Sequence, residues 1–309
     1  MTMADAGRLA SAEWRAGILA FVAAVCLTGA VALHVTEDRV APGPAVDRPD
    51  FLLVRSPAVM KRLSLGNQAL AADVYWIRAL QHFGSERLSP PSHTRSYALL
   101  YPLLDLTTTL DPYFSIAYRF GAIFLGEPYP GGPGRPDLAI ALLKKGLTFQ
   151  PDKWQYMQDV GFVYYWHLQD YKTAASWFSR AADVPGAPTW MRPLAATTLA
   201  EGGQRSAARA LWQEIAKSDE PWLRNSAQLR LTQLDAMDQI DAIAVRVDAF
   251  RRQHPGAAIT WLALQSAGLL PGTPLDPSGT PYAIDAATGK VTVSPQSKLF
   301  PLPGQLPKP

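Results

Sequence analysis

The chain has 309 residues, of which 48% are hydrophobic and 18% charged, and its formal net charge is +3 from 29 basic and 26 acidic residues. This composition is typical of a folded globular protein, and the near balance of charge gives no reason to expect a nucleic-acid partner. The only cysteine is Cys26, which excludes an intrachain disulfide and a cysteine-based metal site.

The N-terminal region contains one long apolar segment. Residues 16–33 read AGILAFVAAVCLTGAVAL and carry no charge. A helix of that length rises about 27 Å, close to the ~30 Å hydrocarbon core of a bilayer. We therefore predict a tail over 1–15 and a transmembrane anchor over 16–35. A cleaved signal peptide is the alternative, because Ala30-Val31-Ala32 has the small-residue pattern of a cleavage site.

The membrane orientation is weakly constrained by charge, because Arg8 and Arg15 before the segment are matched by Arg39 and Arg48 after it. A short tail ahead of the first apolar segment is typical of a signal-anchor. We therefore expect the tail in the cytoplasm and the bulk of the chain outside it. Residues 36–60 are rich in proline, which predicts an extended linker.

The middle of the chain repeats one residue pattern at nearly constant spacing. Ala139, Ala174 and Ala208 are 35 and 34 residues apart. Each is followed four residues later by a large apolar residue, and seven residues later by a small or medium one. The followers are Leu143 and Gly146, Phe178 and Ala181, and Trp212 and Ile215. These positions share one face of a helix.

Each of these helices has an upstream partner with its own small-residue pattern. The partners contain Phe120-Gly121 with Phe124, Val160-Gly161 with Tyr164, and Ala195-Ala196 with Leu199. Each unit is therefore predicted to be a helical hairpin.

The middle unit resembles the tetratricopeptide repeat family, whose motif runs Leu-Gly, Tyr, Ala, Phe, Ala, Pro. Those places are taken by Val160-Gly161, Tyr164, Ala174, Phe178 and Ala181, with one extra residue near Gln169. The resemblance covers about residues 64–255, with divergent hairpins expected at both ends, the last over 220–255. It implies an all-α solenoid of helical hairpins over 61–255.

After Pro255 the composition changes to turn and strand signals. We predict a short helix, a turn at Asp276, and a small β-hairpin with strands near 282–284 and 290–293, within a C-terminal piece over 256–309. The string PLDPSGTPY resembles the C-terminal end of pseudopilins. The N-terminal prepilin signature is missing, so a pilin is not predicted.

The sequence offers no constellation that predicts catalysis. No two of the five histidines share i, i+3 or i, i+4 spacing, and the glycine-rich segment 131–135 lacks a Gly-Lys-Ser/Thr ending. It belongs to an insert, Glu127 to Asp137, that we interpret as a surface loop. Asp276 and Asp285 are interpreted as turn residues rather than calcium ligands. We expect no enzyme, no cofactor and no small-molecule substrate.

A tetratricopeptide solenoid lines its concave groove with the first helix of each hairpin. The resemblance places ten residues there: Ser115, Tyr118, Ala122, Leu125, Gln155, Gln158, Phe162, Tyr165, Trp190 and Thr197. An apolar floor of this kind suits a helix or an extended peptide of a partner protein. The alternative is that some of these rings pack against the C-terminal piece.

These features together predict a membrane-tethered scaffold for protein–protein interaction in a bacterial envelope, serving assembly of a secretion or pilus complex. Two alternatives stay open at this point. One is a structural subunit of a larger membrane complex, and the other is an envelope enzyme that carries a repeat domain.

Overall fold

The computed structural model describes residues 56–303 and, near the N-terminus, residues 21, 24, 25 and 27–29, which are helical. Most of the predicted anchor, and the predicted linker up to residue 55, lie outside the described residues. Among the described residues, no helix is long and apolar enough to cross a membrane. The chain divides into two units, Met1–Phe51 and Leu52–Pro309, and the helices discussed below belong to the second.

The second unit is mostly helical, as predicted. Its helices in chain order are α1 Pro57–Leu63, α2 Gln68–Leu88, α3 Leu100–Leu110, α4 Ser115–Gly126, α5 Pro136–Phe149, α6 Trp154–Val163, α7 Tyr171–Ala182, α8 Met191–Glu201, α9 Arg205–Ile215, α10 Pro221–Gln253 and α11 Trp261–Ser266. Helices α2 to α9 pack as consecutive pairs, α2 with α3, α4 with α5, α6 with α7 and α8 with α9. The predicted hairpins over 64–215 are confirmed as packed helix pairs.

The repeated small and large residues lie in the core. Ala139, Ala174 and Ala208 are fully buried, and so are Leu143 and Phe178. A buried alanine allows a neighbouring helix to approach, while the large residue one turn later fills the space beside it. The spacing in the sequence therefore marks the packing face of the second helix in each pair.

Gly161 shows how closely the two helices of the third pair approach each other. A Cβ at Gly161 of α6 would lie 2.4 Å from Cε1 of Phe178 of α7, well inside van der Waals contact. Only glycine fits at this crossing, because the Phe178 ring has no exposed surface into which it could move.

The residue near Gln169 that is extra relative to the tetratricopeptide motif is accommodated by a π-helical turn at the end of α6. Tyr164–Leu168 form a π-helical turn, and Gln169 follows in the left-handed conformation with φ 52°. The N–H of Asp170 donates to the carbonyl oxygen of Tyr164 at 3.0 Å, and its carboxylate accepts from the N–H of Thr173 at 3.0 Å. A π-helical turn is the usual result of inserting one residue into a helix, so the pairing of α6 with α7 is retained.

The linker prediction is wrong at its C-terminal end, because Pro57 begins α1 instead of continuing an extended tether. Proline is well accommodated in the first helical turn, where its missing N–H would have had no intrahelical acceptor. Pro136 and Pro221 start α5 and α10 in the same way.

The predicted last hairpin over 220–255 is also wrong, since α10 is one helix of 33 residues. Residues 222–253 contain neither glycine nor proline, so nothing in the backbone favours a turn. Arg205 and Arg209 of α9 form ion pairs along the side of α10, and these pairs support a continuous helix across the expected turn. The acceptors are Asp235, Asp238 and Asp241.

The predicted C-terminal β-hairpin is confirmed. Strand β1, Ala283–Ile284, pairs antiparallel with β2, Val291–Thr292. This piece packs on α10: the Tyr282 hydroxyl donates to Oε1 of Gln239 at 2.8 Å, and Nε2 of Gln233 donates to the carbonyl oxygen of Leu299 at 2.8 Å. None of the ten groove candidates belongs to the hydrophobic cluster formed there, so their rings do not pack into the core of the C-terminal piece.

Candidate protein-binding surface

The first helices of the second and third pairs are joined by a bidentate ion pair. Nε of Arg119 on α4 lies 2.6 Å from Oδ2 of Asp159 on α6, and Nη2 lies 3.1 Å from Oδ1. Burial raises the pKa of Asp159, and the Arg119 guanidinium offsets only part of that effect. The hydroxyl of Tyr156 adds a second link by donating to Oγ of Ser115 at 3.2 Å.

The π-helical turn after α6 is joined to the first helix of the fourth pair through Tyr165, whose hydroxyl donates to the carboxylate of Glu201 on α8. Burial raises the pKa of Tyr165, and the neighbouring Glu201 carboxylate raises it further. The phenol is therefore protonated near neutral pH and remains a donor. The Arg119–Asp159 pair places α4 beside α6, so their outward faces adjoin, and the Tyr165–Glu201 bond connects the turn after α6 to the end of α8.

The groove candidates on α6, on the π-helical turn after it and on α8 have partly accessible side chains. Gln155, Gln158, Phe162 and Tyr165 are half-buried, and Thr197 on α8 is likewise half-buried. Trp190, at the start of α8, is exposed. These positions therefore remain available to a partner, and their role in binding stays a prediction.

The groove candidates on α4 need a correction. Ser115 is half-buried, but Tyr118, Ala122 and Leu125 are buried in the core and cannot line an open groove. The hydroxyl of Tyr118 donates to the carbonyl oxygen of Thr108 on α3 at 3.3 Å, and its ring centroid lies 5.2 Å from that of Tyr156.

The physical reason is the close packing of α4 against both α3 and α5. A Cβ at Gly121 would lie 2.9 Å from Cδ2 of Leu104 on α3 and 2.9 Å from Cδ2 of Leu142 on α5. The face that includes Gly121 is therefore covered by both neighbours, and the predicted groove residues Tyr118, Ala122 and Leu125 are buried together with it.

The outward face of α4 carries residues that the sequence reasoning missed. Ile116, Phe120 and Ile123 are 53%, 51% and 58% exposed and follow each other at i, i+4 and i+7. We call these three residues the α4 stripe. The pattern Phe120-Gly121 with Phe124 predicts a packing position for Phe120, and this prediction is wrong. The segment SIAYRFGAIFLG is apolar on nearly every side, so periodicity does not identify its buried face.

The α4 stripe borders an aromatic cluster shared with α2. The ring of Phe120 lies 6.4 Å from that of Phe124, which stacks on Phe83 at 4.3 Å and on Trp76 at 6.2 Å. The stripe therefore rests on packed rings, and its backbone is held in place before any partner arrives.

The insert from Glu127 to Asp137 folds down onto the connection between α2 and α3. Nη1 of Arg95 and the hydroxyl of Tyr97 donate to the carbonyl oxygen of Pro130 at 3.0 and 2.9 Å. Arg135 forms an ion pair with Asp137 at 2.6 Å. The bonds from Arg95 and Tyr97 hold the insert against the connection between α2 and α3, which gives it a structural role.

Asp276 and Asp285 both accept hydrogen bonds in turns. The N–H groups of Ser278 and Thr280 donate to Asp276 at 2.8 and 3.0 Å, and that of Thr288 donates to Asp285 at 2.7 Å. Burial opposes ionisation of Asp276, yet hydrogen bonds from its neighbours, the Ser297 hydroxyl above all, hold its pKa below the usual value. Within the part of the chain that the structure describes, no group of three His, Cys, Asp or Glu could hold a metal ion.

No protein-family model, curated protein or solved structure matches the chain. The resemblance to tetratricopeptide repeats therefore depends on the repeated residues alone. The structure adds that consecutive helices pack as pairs.

Proposed function

We propose that the chain is a membrane-tethered scaffold of the tetratricopeptide type, which binds a partner protein on the first helices of its hairpins. The support comes from the repeat spacing, the packed helix pairs and the apolar segment over residues 16–33. We propose that this binding serves assembly of a secretion or pilus complex in a bacterial envelope. The reason is the C-terminal string PLDPSGTPY, which resembles the end of pseudopilins.

The α4 stripe is the observation that carries this proposal. Single exposed apolar side chains are normal on protein surfaces, but three large ones in register along one helix form a contiguous apolar surface. Full burial of each would contribute about 1.5–3 kcal/mol, so completing their half-burial contributes about 1 kcal/mol each. The stripe therefore provides binding energy without any change in the fold.

The chemistry of the surface favours an amphipathic helix of the partner over an acidic tail. Arg119 lies on the same side of α4 as Ile116 and Ile123, but its guanidinium is already engaged by Asp159. An apolar stripe spaced at i, i+4 and i+7 matches the anchor residues of a helix laid beside it. A structural subunit of a larger complex would use the same surface permanently.

Co-purification from gently solubilised membranes tests the proposal. Phe120→Glu places a charge in the α4 stripe and is expected to remove a stoichiometric partner from the purified protein. Phe149→Glu, at the exposed end of α5, is the matched control and should retain the partner. A monodisperse lone protein obtained from the wild type under the same conditions would contradict a scaffold.

A further inference from the structure

A second apolar surface lies at the start of the unit, on α1, the following turn and the first half of α2. Its large apolar side chains are exposed, and α1 contains no fully buried residue. The exposed residues are Val59, Leu63, Leu65, Leu70 and Val74. We call these five residues the α1–α2 surface. No other described part of the chain covers it.

Leu65 is the most exposed member of this surface. It is 86% exposed at the tip of the turn and has a left-handed backbone with φ 47°, followed by Gly66 with φ 91°. Leucine disfavours this conformation, whereas asparagine and glycine tolerate it. Neither packing nor backbone preference explains a leucine at this position. A hydrophobic contact with something outside the described chain would explain it.

The charge around the α1–α2 surface is basic. Residues 51–74 include three basic residues, Arg55, Lys61 and Arg62, against one acidic residue, Asp73, which is exposed beside Val74. Lys61 and Arg62 are exposed, and neither forms an ion pair with a described residue. Exposed apolar side chains beside unpaired basic ones are the combination that binds the interface of an anionic bilayer.

The position in the chain points to the same partner. Between Leu33, the end of the apolar segment, and Pro57, the start of α1, lie residues 34–56. A linker of that length spans at most about 80 Å when fully extended, so α1 stays within reach of any membrane that holds the apolar segment. A second copy of the chain or another protein would not require the excess of basic residues, three against one acidic residue, over 51–74.

We propose that the α1–α2 surface inserts its apolar side chains into the interfacial layer of a bilayer containing anionic lipid. This inference depends on the membrane tether of the proposed function, and it adds a second contact that orients the helical body. Leu65 at the tip enters deepest, with Lys61 and Arg62 at the level of the lipid phosphates.

The test uses the full chain reconstituted into vesicles, with Cys26→Ser and one new cysteine for an environment-sensitive fluorophore. Asn67→Cys reports on the α1–α2 surface, and Gln213→Cys, exposed on α9, is the control. Vesicles of phosphatidylcholine, with or without one third phosphatidylglycerol, carry a spin-labelled lipid as quencher. We expect several-fold stronger quenching at position 67 than at position 213 in anionic vesicles. Lys61→Glu with Arg62→Glu should reduce that difference.

Leu65→Asn separates binding from folding. Asparagine fits the left-handed backbone, so the melting temperature should be unchanged or higher, while quenching at position 67 should fall. Equal quenching at positions 67 and 213 in chains that float with the vesicles would overturn the lipid contact and leave the tether intact. Chains that do not float would overturn the tether, and the lipid contact with it. Disulfide pairing of position 67 between two chains in lipid-free detergent would assign the surface to a second copy instead.

Discussion

Gly161→Ala is expected to lower the free energy of unfolding by about 2 kcal/mol, although alanine is the better helix former by about 1 kcal/mol. The added methyl group would lie 2.4 Å from Cε1 of Phe178. Because that ring is fully buried, relief requires α6 and α7 to separate. Denaturant unfolding followed by circular dichroism measures the change.

Gly84→Ala in α2 is the matched control, since a Cβ there would meet no atom within 4 Å. It should raise stability by about 0.5–1 kcal/mol, because alanine restricts the unfolded chain and favours the helix. Adding Phe178→Leu to Gly161→Ala should recover part of the loss. A Gly161→Ala protein as stable as the wild type would contradict the close crossing of α6 and α7.

Arg119→Met is the second large expected effect, a loss of about 2–4 kcal/mol at neutral pH. The Asp159 side chain is only 17% exposed, so removing the guanidinium leaves a poorly hydrated carboxylate without its partner. Asp159→Asn should cost less, because the Arg119 side chain is 42% exposed and can be hydrated by water. Thermal and denaturant unfolding of the two variants establish the order.

The pH dependence follows from the same pair. Burial already raises the pKa of Asp159 in the wild type, and loss of Arg119 must raise it further. A carboxyl with a raised folded-state pKa is penalised as pH rises above the unfolded-state value, and the penalty disappears below it. The destabilisation by Arg119→Met should therefore shrink as pH falls toward about 4. A loss that is constant with pH, or larger for Asp159→Asn, would contradict this interpretation.

The helix pairs could be predicted because their crossing points recur at a fixed interval. Ala174 with Phe178, and Ala208 with Trp212, needed only the spacing to be placed in the core. The C-terminal hairpin was predictable for a different reason, since glycine readily adopts the positive φ of 68° that Gly289 has in the turn.

The outward face of α4 and the length of α10 could not be predicted in the same way. Residues 115–126 are apolar on nearly every side, so only the positions of Leu104 and Leu142 decide which face is buried. For α10 the repeat interval predicts a turn, although residues 222–253 contain neither glycine nor proline. The ion pairs from Arg205 and Arg209 that run along the continuous helix are long-range contacts. Of the binding residues predicted by resemblance, Gln155, Gln158 and Phe162 on α6 are partly accessible, whereas Tyr118, Ala122 and Leu125 on α4 are buried.

Photo-crosslinking in intact membranes tests the scaffold most directly. A photoreactive amino acid in place of Phe120 should yield one specific crosslinked product with a partner protein, while the same group in place of Phe149 should yield none. Phe120 and Phe149 are both exposed, so the comparison depends only on which face a partner covers. Equal crosslinking from both positions, or no product from position 120, would contradict a partner on the α4 stripe.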